Sequence, residues 1–406
     1  MSKGTKKLIM VTADNNNKFY NMKDNDDGTF VVDWGRVGVT STKTVYPISK
    51  WDSIYRSKTK KGYKDITEIF AEEVSDDVDF ADITNAQIKR LVNSLQSYAN
   101  HSVKENYLVT SESVTQKQID EAQVLIDALT SVKSNTDYEE ANELLLEVYS
   151  VIPRRMSNVK YYIFGDMSRI GNYDSDNLNK VITNEQATLD VMRGQVSTLT
   201  KTKDVEDKEK KTLLDAMGLA IEPIKDKDHN TIIKLLGSNS RQFKDAVKVV
   251  NLSTQGRYDS FLTKSNNEKS HLFWHGSRNE NWWSILDTGL VLRPANAVIT
   301  GAMFGHGLYF ADRAQKSIGY TSLRGSYWTG GSGDKAYLAL FSVHTGDWLH
   351  IKRHESWMYS LTEPKLKQRG SYDSLFAEGG IDLRNNEYIV YNQAQCTVKY
   401  LVEIGT

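Results

Sequence analysis

The feature that most constrains this chain is a change of hydrophobic period along its length. Up to about residue 67, short β-branched and aromatic runs (residues 7–11, 18–22, 29–34 and 42–46) are separated by Asn, Asp and Gly turns, which predicts strands. A helical piece is expected at 49–56. From about 84 to 200 the apolar residues recur at helical spacing, as in Ile88, Leu91, Val92 and Leu95, and again in Ile119, Ala122, Ile126 and Leu129. Thr115 with Gln118 predicts a capping box before the second stripe. A third stripe, Ala141, Leu144, Leu145, Val148, Tyr149 and Ile152, is ended by Pro153. Beyond 211 the pattern is mixed, with strands expected near 218–222, 246–252, 270–274, 307–310, 336–344 and 387–404, and helices near 229–236 and 282–287. Three successive patterns in 406 residues imply several domains.

Charge divides the chain at the same places. Residues 1–67 hold thirteen Lys and Arg against seven Asp, although the net charge of the whole is −1. Basic residues interleaved with Trp34, Trp51, Tyr55 and Tyr63 suit either a phosphate-and-stacking surface or a solvated basic face. Residues 68–83 carry seven acids and no Lys or Arg, which reads as an acidic linker or an exposed helix end. Residues 201–211 alternate in charge and mark a second boundary. The one cysteine, Cys396, excludes an intramolecular disulfide and a cysteine-built zinc finger, and fits a reducing, intracellular compartment. Residues 1–10 do not form a signal peptide, and no apolar run approaches the ~18 residues that cross a bilayer, so no membrane partner is expected.

Several chemistries are poor fits. Gly305-His306-Gly307 lacks a third glycine and precedes its strand, which argues against a dinucleotide fingerprint. His271 and His275, like His350 and His354, stand four apart without the Glu of a zinc-protease helix, so no metal is expected. No serine elbow, P-loop or paired-cysteine motif is present. What remains is Glu387 at the head of the run Glu387-Tyr388-Ile389-Val390-Tyr391, preceded by Phe273-Trp274-His275-Gly276-Ser277 and by the stretch Met303 to Asp312 that contains Gly307-Leu308-Tyr309-Phe310. Lys316-Ser317-Ile318-Gly319-Tyr320 lies between the last two. Each alone reads equally well as core packing.

In their order and local context these pieces resemble the His-Tyr-Glu ADP-ribosyltransferase domain of poly(ADP-ribose) polymerases, over about residues 211–406. Trp34-Gly35-Arg36-Val37-Gly38, with Asn17-Lys18-Phe19-Tyr20 upstream, resembles the WGR domain found beside such catalytic domains. Residues 115–129 and Tyr149-Ser150-Val151-Ile152-Pro153 are similar to the helical regulatory domain of the DNA-dependent members. The resemblance implies a multidomain α+β protein: a small β-rich WGR domain (1–67), an acidic linker (68–83), an all-α helical bundle (84–200), a charged linker (201–210), and an α+β transferase with a split antiparallel sheet (211–406).

The resemblance also implies NAD+ as substrate, and poly(ADP-ribose) made on protein acceptors, the enzyme itself included. Activation by DNA strand breaks, with 5′-phosphorylated ends expected, would pass through the WGR and helical domains. Its catalytic residues would be His275, Tyr309 and Glu387. Gly276 and Ser317 would meet the nicotinamide amide, and Tyr309 and Tyr320 would sandwich its ring. His275 and Ser277 would contact ribose hydroxyls, with Asn281 near the adenosine and Lys316 in the same site. Trp34 and Arg36 would serve the DNA end, with Asn17, Tyr20 and Lys58 as further contacts.

The chain departs from the family in its donor loop, where Val291 replaces a common Arg (Arg293 stands nearby), Ala302 a Tyr and His306 a Lys. Thr183 and Gln186 stand near Asp190 where acids are common, which weakens the expected autoinhibition. Glu387, as a carboxylate beneath a ribose losing nicotinamide, would stabilise positive charge as in glycoside hydrolysis. A mono-ADP-ribosyltransferase, or a DNA-end adaptor with an inert transferase fold, stays open as an alternative. The expected location is the nucleus in a eukaryote and the cytoplasm in a bacterium or phage.

Overall fold

The computed structural model describes residues 2–69, 80–106, 114–132, 138–165, 169–203, 210–265, 267, 269–292 and 302–406. They form two compact units, residues 1–76 with 100–196 and residues 77–99 with 197–406. Most of the acidic stretch 68–83 and of the charged stretch 201–210 lies outside the described residues.

The first unit opens with strands β1 (Thr5–Thr12), β2 (Asn16–Asp24), β3 (Thr29–Arg36), β4 (Thr42–Pro47) and β5 (Lys64–Asp65), which form one antiparallel sheet in the order β4-β3-β2-β1-β5. Alternate residues of these strands face helix α1 (Trp51–Lys60). Leu8, Tyr20, Met22, Phe30 and Val32 close over Trp51, whose ring meets Phe30 edge-to-face at 5.0 Å.

Helix α2 (Ala86–Asn106) is followed by α3 (Gln116–Leu129), α4 (Tyr138–Val151) and α5 (Ser175–Lys203). The Thr115–Gln118 capping box is present, and Ile119, Ala122, Ile126 and Leu129 form the buried stripe of α3. Antiparallel packing of α3 on α4 is pinned by the Gln118 amide, which donates to the Val151 carbonyl at 2.8 Å. Asn142 exchanges hydrogen bonds with the backbone of Phe164 at 3.0 and 2.7 Å, closing the connection after α4. Helix α5 continues to Lys203, beyond the domain boundary expected at 200, and Lys201 pairs with the buried Asp287 carboxylate at 2.7 Å.

In the second unit, α6 (Leu213–Met217), β6 (Leu219–Pro223), α7 (Asp226–Leu236), β7 (Phe243–Asn251), α8 (Leu252–Lys264), β8 (Ser270–Gly276), α9 (Trp282–Thr288), β9 (Leu308–Phe310) and α10 (Ala314–Ile318) come first. They are followed by β10 (Lys335–His344), β11 (Trp348–Ile351), α11 (Glu363–Gln368), β12 (Ser374–Ala377), β13 (Glu387–Val390) and β14 (Cys396–Gly405). Two sheets result, ordered β6-β7-β14-β10-β8 and β11-β12-β13-β9, antiparallel except for the β11–β12 pair. Strand β10 is buried on both faces, which accounts for its unbroken apolar run. Ala336, Leu338 and Leu340 pack with Ile232 and Leu236 of α7, while Phe304, Leu375, Ile389 and Tyr391 build a second core under the smaller sheet.

The run 387–404, expected as continuous strand, is two strands in different sheets. Asn392 accepts from the Ala394 N–H at 3.0 Å and makes the turn between them. Helix α8 was not foreseen. Its start is set by Asn251, whose side-chain oxygen accepts from the Thr254 N–H at 3.0 Å. No helix among the described residues is long and apolar enough to cross a membrane.

Leu340 is fully buried between the layers, so Leu340→Ala should cost about 2–5 kcal/mol. A urea titration followed by tryptophan fluorescence should show the earlier midpoint.

Candidate active site

Strands β8 and β9 meet where the two sheets join. Trp274 and Ala311 exchange backbone hydrogen bonds at 2.8 and 2.9 Å. This sets His275, the next residue on β8, beside β9. Strand β13 runs antiparallel to β9, with Ile389 opposite Tyr309 and Tyr388 opposite Phe310, so Glu387 falls one residue further on at the same end. His275, Tyr309 and Glu387 are thus carried by three strands in a row.

Each of the three is fixed by a different force. The His275 Nδ1 lies 3.0 Å from the Tyr309 carbonyl. A carbonyl can only accept, so Nδ1 carries the proton and Nε2 keeps its lone pair. Burial pushes the His275 pKa below 6.5, which keeps the ring neutral. Tyr309 donates its hydroxyl to the Gly305 carbonyl at 2.8 Å and accepts from the Phe304 N–H at 3.1 Å, so its ring face is what it has left to offer. Glu387 is 6% exposed. One carboxylate oxygen accepts from the Lys316 ammonium, and the other is buried with no hydrogen-bond partner. Leaving such an oxygen unpaired carries a desolvation penalty of roughly 1–3 kcal/mol or more, which a hydroxyl donor from a ligand would relieve.

The surrounding residues close on the same point. A Cβ on Gly276 would lie 1.9 Å from the Ser317 carbonyl oxygen, so only glycine lets β8 approach α10 this closely. That approach brings Lys316 to Glu387 and leaves Ser317 buried beside Gly276. Burial lowers the Lys316 pKa against the opposing pull of Glu387. Burial, followed by the charge of Glu387, raises Tyr320 to about 12. Ser277 accepts from the Asn281 amide at 2.9 Å, and the Asn281 Oδ1 is left without a partner.

Two residues without an assigned role from sequence also steady this end. Asn386 donates to Asp312 at 2.8 Å and accepts from the Gly379 N–H at 2.9 Å, which fixes the chain just before Glu387. Asp312 closes one of the quoted runs and Asn386 directly precedes another, but nothing local marked them as partners. His306 donates its backbone N–H to Leu361, while its Nδ1 is buried and unpaired. Arg293 lies outside the described residues. Among the described residues no group of three or more His, Cys, Asp and Glu is placed to hold a metal ion.

Residues 226–406 match the family described as the poly(ADP-ribose) polymerase catalytic domain. A putative poly [ADP-ribose] polymerase-like protein, 100L of Invertebrate iridescent virus 6, is 31% identical over 181 residues, which cover 43% of this chain and 92% of that protein. This chain belongs to the poly(ADP-ribose) polymerase family. Uncharacterized protein 101L of the same virus is 37% identical over 190 residues, covering 47% of this chain and 76% of its own length. Poly [ADP-ribose] polymerase 2 of Zea mays is 25% identical over 468 residues, covering 97% and 69% respectively. The chain is an NAD+ ADP-ribosyltransferase.

The residues that this polymerase-family chain was expected to turn toward DNA lie in the first unit and differ in availability. Trp34 is 43% exposed on β3. Arg36 donates to the Asn15 carbonyl and side chain at 2.9 and 2.8 Å, and to the Met156 and Ser157 carbonyls at 3.2 and 3.1 Å. Asn17 is fully buried and donates to the Arg154 carbonyl at 3.0 Å. Tyr20 is buried in the core, with the Lys58 ammonium 3.8 Å from its ring centroid. The side chains of Asn17 and Tyr20 are therefore not free to meet a surface ligand. On β2 the residues beside them are half-buried, apart from the exposed Lys18.

Two outcomes follow for this enzyme. Gly276→Ala should part β8 from α10 and lower kcat/KM for NAD+ about 10²-fold or more, with the fold retained by circular dichroism. Because burial depresses the His275 pKa, the ring should stay neutral as pH falls through 6.5. An NAD+-turnover profile with a His-dependent limb at or above 6.5 would contradict that.

Proposed function

We propose that this chain makes poly(ADP-ribose) on protein acceptors and is switched on by DNA strand breaks. The observation that carries the reading is the Glu387 carboxylate, buried at the head of β13, with one oxygen on Lys316 and the other open. The open oxygen would accept from a ribose hydroxyl of NAD+. As the bond from C1′ to the nicotinamide nitrogen breaks, nicotinamide leaves with the electron pair and the ribose ring gains positive charge. The carboxylate meets that charge. The acceptor hydroxyl then forms the new bond to C1′ and gives up its proton through Glu387 to solvent. Neutral His275 and the backbone of Gly276 would hold the donor, with Tyr309 and Tyr320 on either side of the leaving ring, Ser317 at its amide, Ser277 at the ribose and Asn281 near the adenosine.

Chain growth, as opposed to a single transfer, is supported by an acid at position 387, because the acceptor there is itself a sugar hydroxyl that must be oriented. For the first unit, residues 1–67 are proposed as the WGR domain that engages a broken DNA end. Trp34 is its exposed stacking ring, Arg36 the tie to the segment after α4, and Lys58 a lesser contact. Residues 84–200 would restrain residues 211–406 until DNA shifts the balance between two states. Asp190, held by Gln186 at 2.9 Å and Arg193 at 3.0 Å, is a candidate restraining acid.

One experiment tests the set: product length and NAD+ turnover with and without a 5′-phosphorylated DNA end. The wild type should give a ladder that intensifies with DNA. Glu387→Gln should lose about 10²–10³ in rate and the ladder with it, while NAD+ binding survives. Trp34→Ala should keep basal turnover and lose the DNA response. A single product band from the wild type would favour the mono-transferase reading, and the absence of turnover would favour the inert adaptor.

A further inference from the structure

The loop after Tyr320, residues 321–334, carries the most exposed aromatic pair among the described residues: Tyr327 is 81% exposed and Trp328 64%. Water-facing rings on a slack loop would need no explanation, but this loop is tightly built. Thr321 and Ser326 are buried polar side chains, their hydroxyls 3.1 Å apart, and both donate to the Ile318 carbonyl, at 2.8 and 2.9 Å. The Gly333 N–H donates to Ser322 at 2.9 Å and the Arg324 N–H to Gly333 at 2.7 Å. Trp328 donates its backbone N–H to Gly319 at 3.0 Å. A Cβ on Gly319 would sit 3.1 Å from the Trp328 ring, so the indole lies against the backbone just before Tyr320.

The result is a fixed corner. Trp328 is within 19° of the Tyr320 plane at a centroid distance of 6.0 Å, an offset stack. Tyr327 stands at 88° to Trp328 at 4.7 Å, as a wall stands on a floor. The corner is continuous with the site, because Tyr320 donates its backbone N–H at 3.0 Å to the Ser317 carbonyl, the same carbonyl that Gly276 lies against.

We propose that Trp328 and Tyr327 form a base-stacking subsite for the adenine of an ADP-ribose unit acting as acceptor. This rests on the chain-extending reading above. Every base has a π face, and an exposed, immobilised aromatic is the usual means of holding one. The reaction itself supplies the ring: an acceptor ADP-ribose whose hydroxyl reaches the donor ribose beside Glu387 must lay its adenine within one nucleotide's reach of that point. The loop's aliphatic residue, Leu323, is buried, and the exposed neighbours are Arg324, Gly325, Gly330, Ser332 and Asp334, with Arg324 paired to Asp334 at 2.8 Å. Such a rim suits a polar nucleotide better than the apolar centre of a protein interface.

The test is calorimetric binding of ADP-ribose to the full chain with the donor site saturated by a non-hydrolysable NAD+ analogue, alongside elongation of a mono-ADP-ribosylated peptide. The wild type should bind ADP-ribose under these conditions. Trp328→Ala should weaken that binding about tenfold or more, with Tyr327→Ala intermediate and Trp328→Phe near wild type. The KM for NAD+ in simple hydrolysis should stay within about twofold for all three. No ADP-ribose binding by the wild type would overturn the proposal. So would an equal rise in the NAD+ KM for Trp328→Ala, which would make the indole a prop for Tyr320. Loss of binding to a single-stranded oligonucleotide, with ADP-ribose unaffected, would also overturn it by assigning the corner to nucleic acid. Binding without any elongation by the wild type would retain the subsite and refute the chain-extending reading.

Discussion

The site depends on the seam between two sheets, where Trp274 and Ala311 trade backbone hydrogen bonds. Two such bonds are worth only about 1 kcal/mol each in net terms, so the seam is held by what packs across it. Phe273 of one sheet stacks on Tyr388 of the other at 4.1 Å, and Phe310 meets Phe341 at 5.6 Å. With the seam closed, the Tyr309 carbonyl is within reach of His275 and orients its ring. Without it, the histidine and the glutamate would sit on separate sheets with no reason to share a ligand.

Charge at this point is sparse and deliberately placed. His275 is neutral, and Tyr309 and Tyr320 keep their protons because burial raises both. The formal charges at the centre are then Glu387 and Lys316, with Asp312 near enough to act on the ammonium, and a buried pair of this kind is weak evidence for stability. Its value is that the ammonium holds the carboxylate in place while leaving one oxygen unsatisfied. On the proposed reading, an incoming sugar would find an acceptor already desolvated and oriented, with little reorganisation left for the moment of bond breaking.

Much of this was legible from the chain, and the failures have physical causes. The β1–β4 strands and the α3 stripe could be read because alternation and helical spacing leave unambiguous marks, and Thr115 with Gln118 announced its own cap. The break between β13 and β14 falls on the short polar run Asn392-Gln393-Ala394-Gln395, whose Asn392 and Gln395 side chains build the turn, and it was passed over because apolar runs flank it on both sides. Helix α8 was missed because polar residues follow its Asn251 cap and its apolar face is narrow. At the site, His275, Tyr309 and Glu387 stood out through motif order alone. The pairing of Asn386 with Asp312, 74 positions apart, is a product of the β9–β13 register and has no local signal. Asn17 and Tyr20 illustrate the reverse case, where a polar or basic neighbourhood in sequence conceals a buried side chain.

The commitments of Arg36 bear on how the first unit would meet a polyanion, as proposed. Its guanidinium is occupied by Asn15 and by two carbonyls beyond α4, while Lys6 is neutralised by Asp65, Lys3 by Asp52 and Lys64 by Glu147. A cation already committed within the fold contributes little to counterion release when nucleic acid arrives. The excess of basic residues before residue 67 is thus a ceiling on the unit's electrostatic valence, and Arg36 acts as a strut between β3 and the segment after α4.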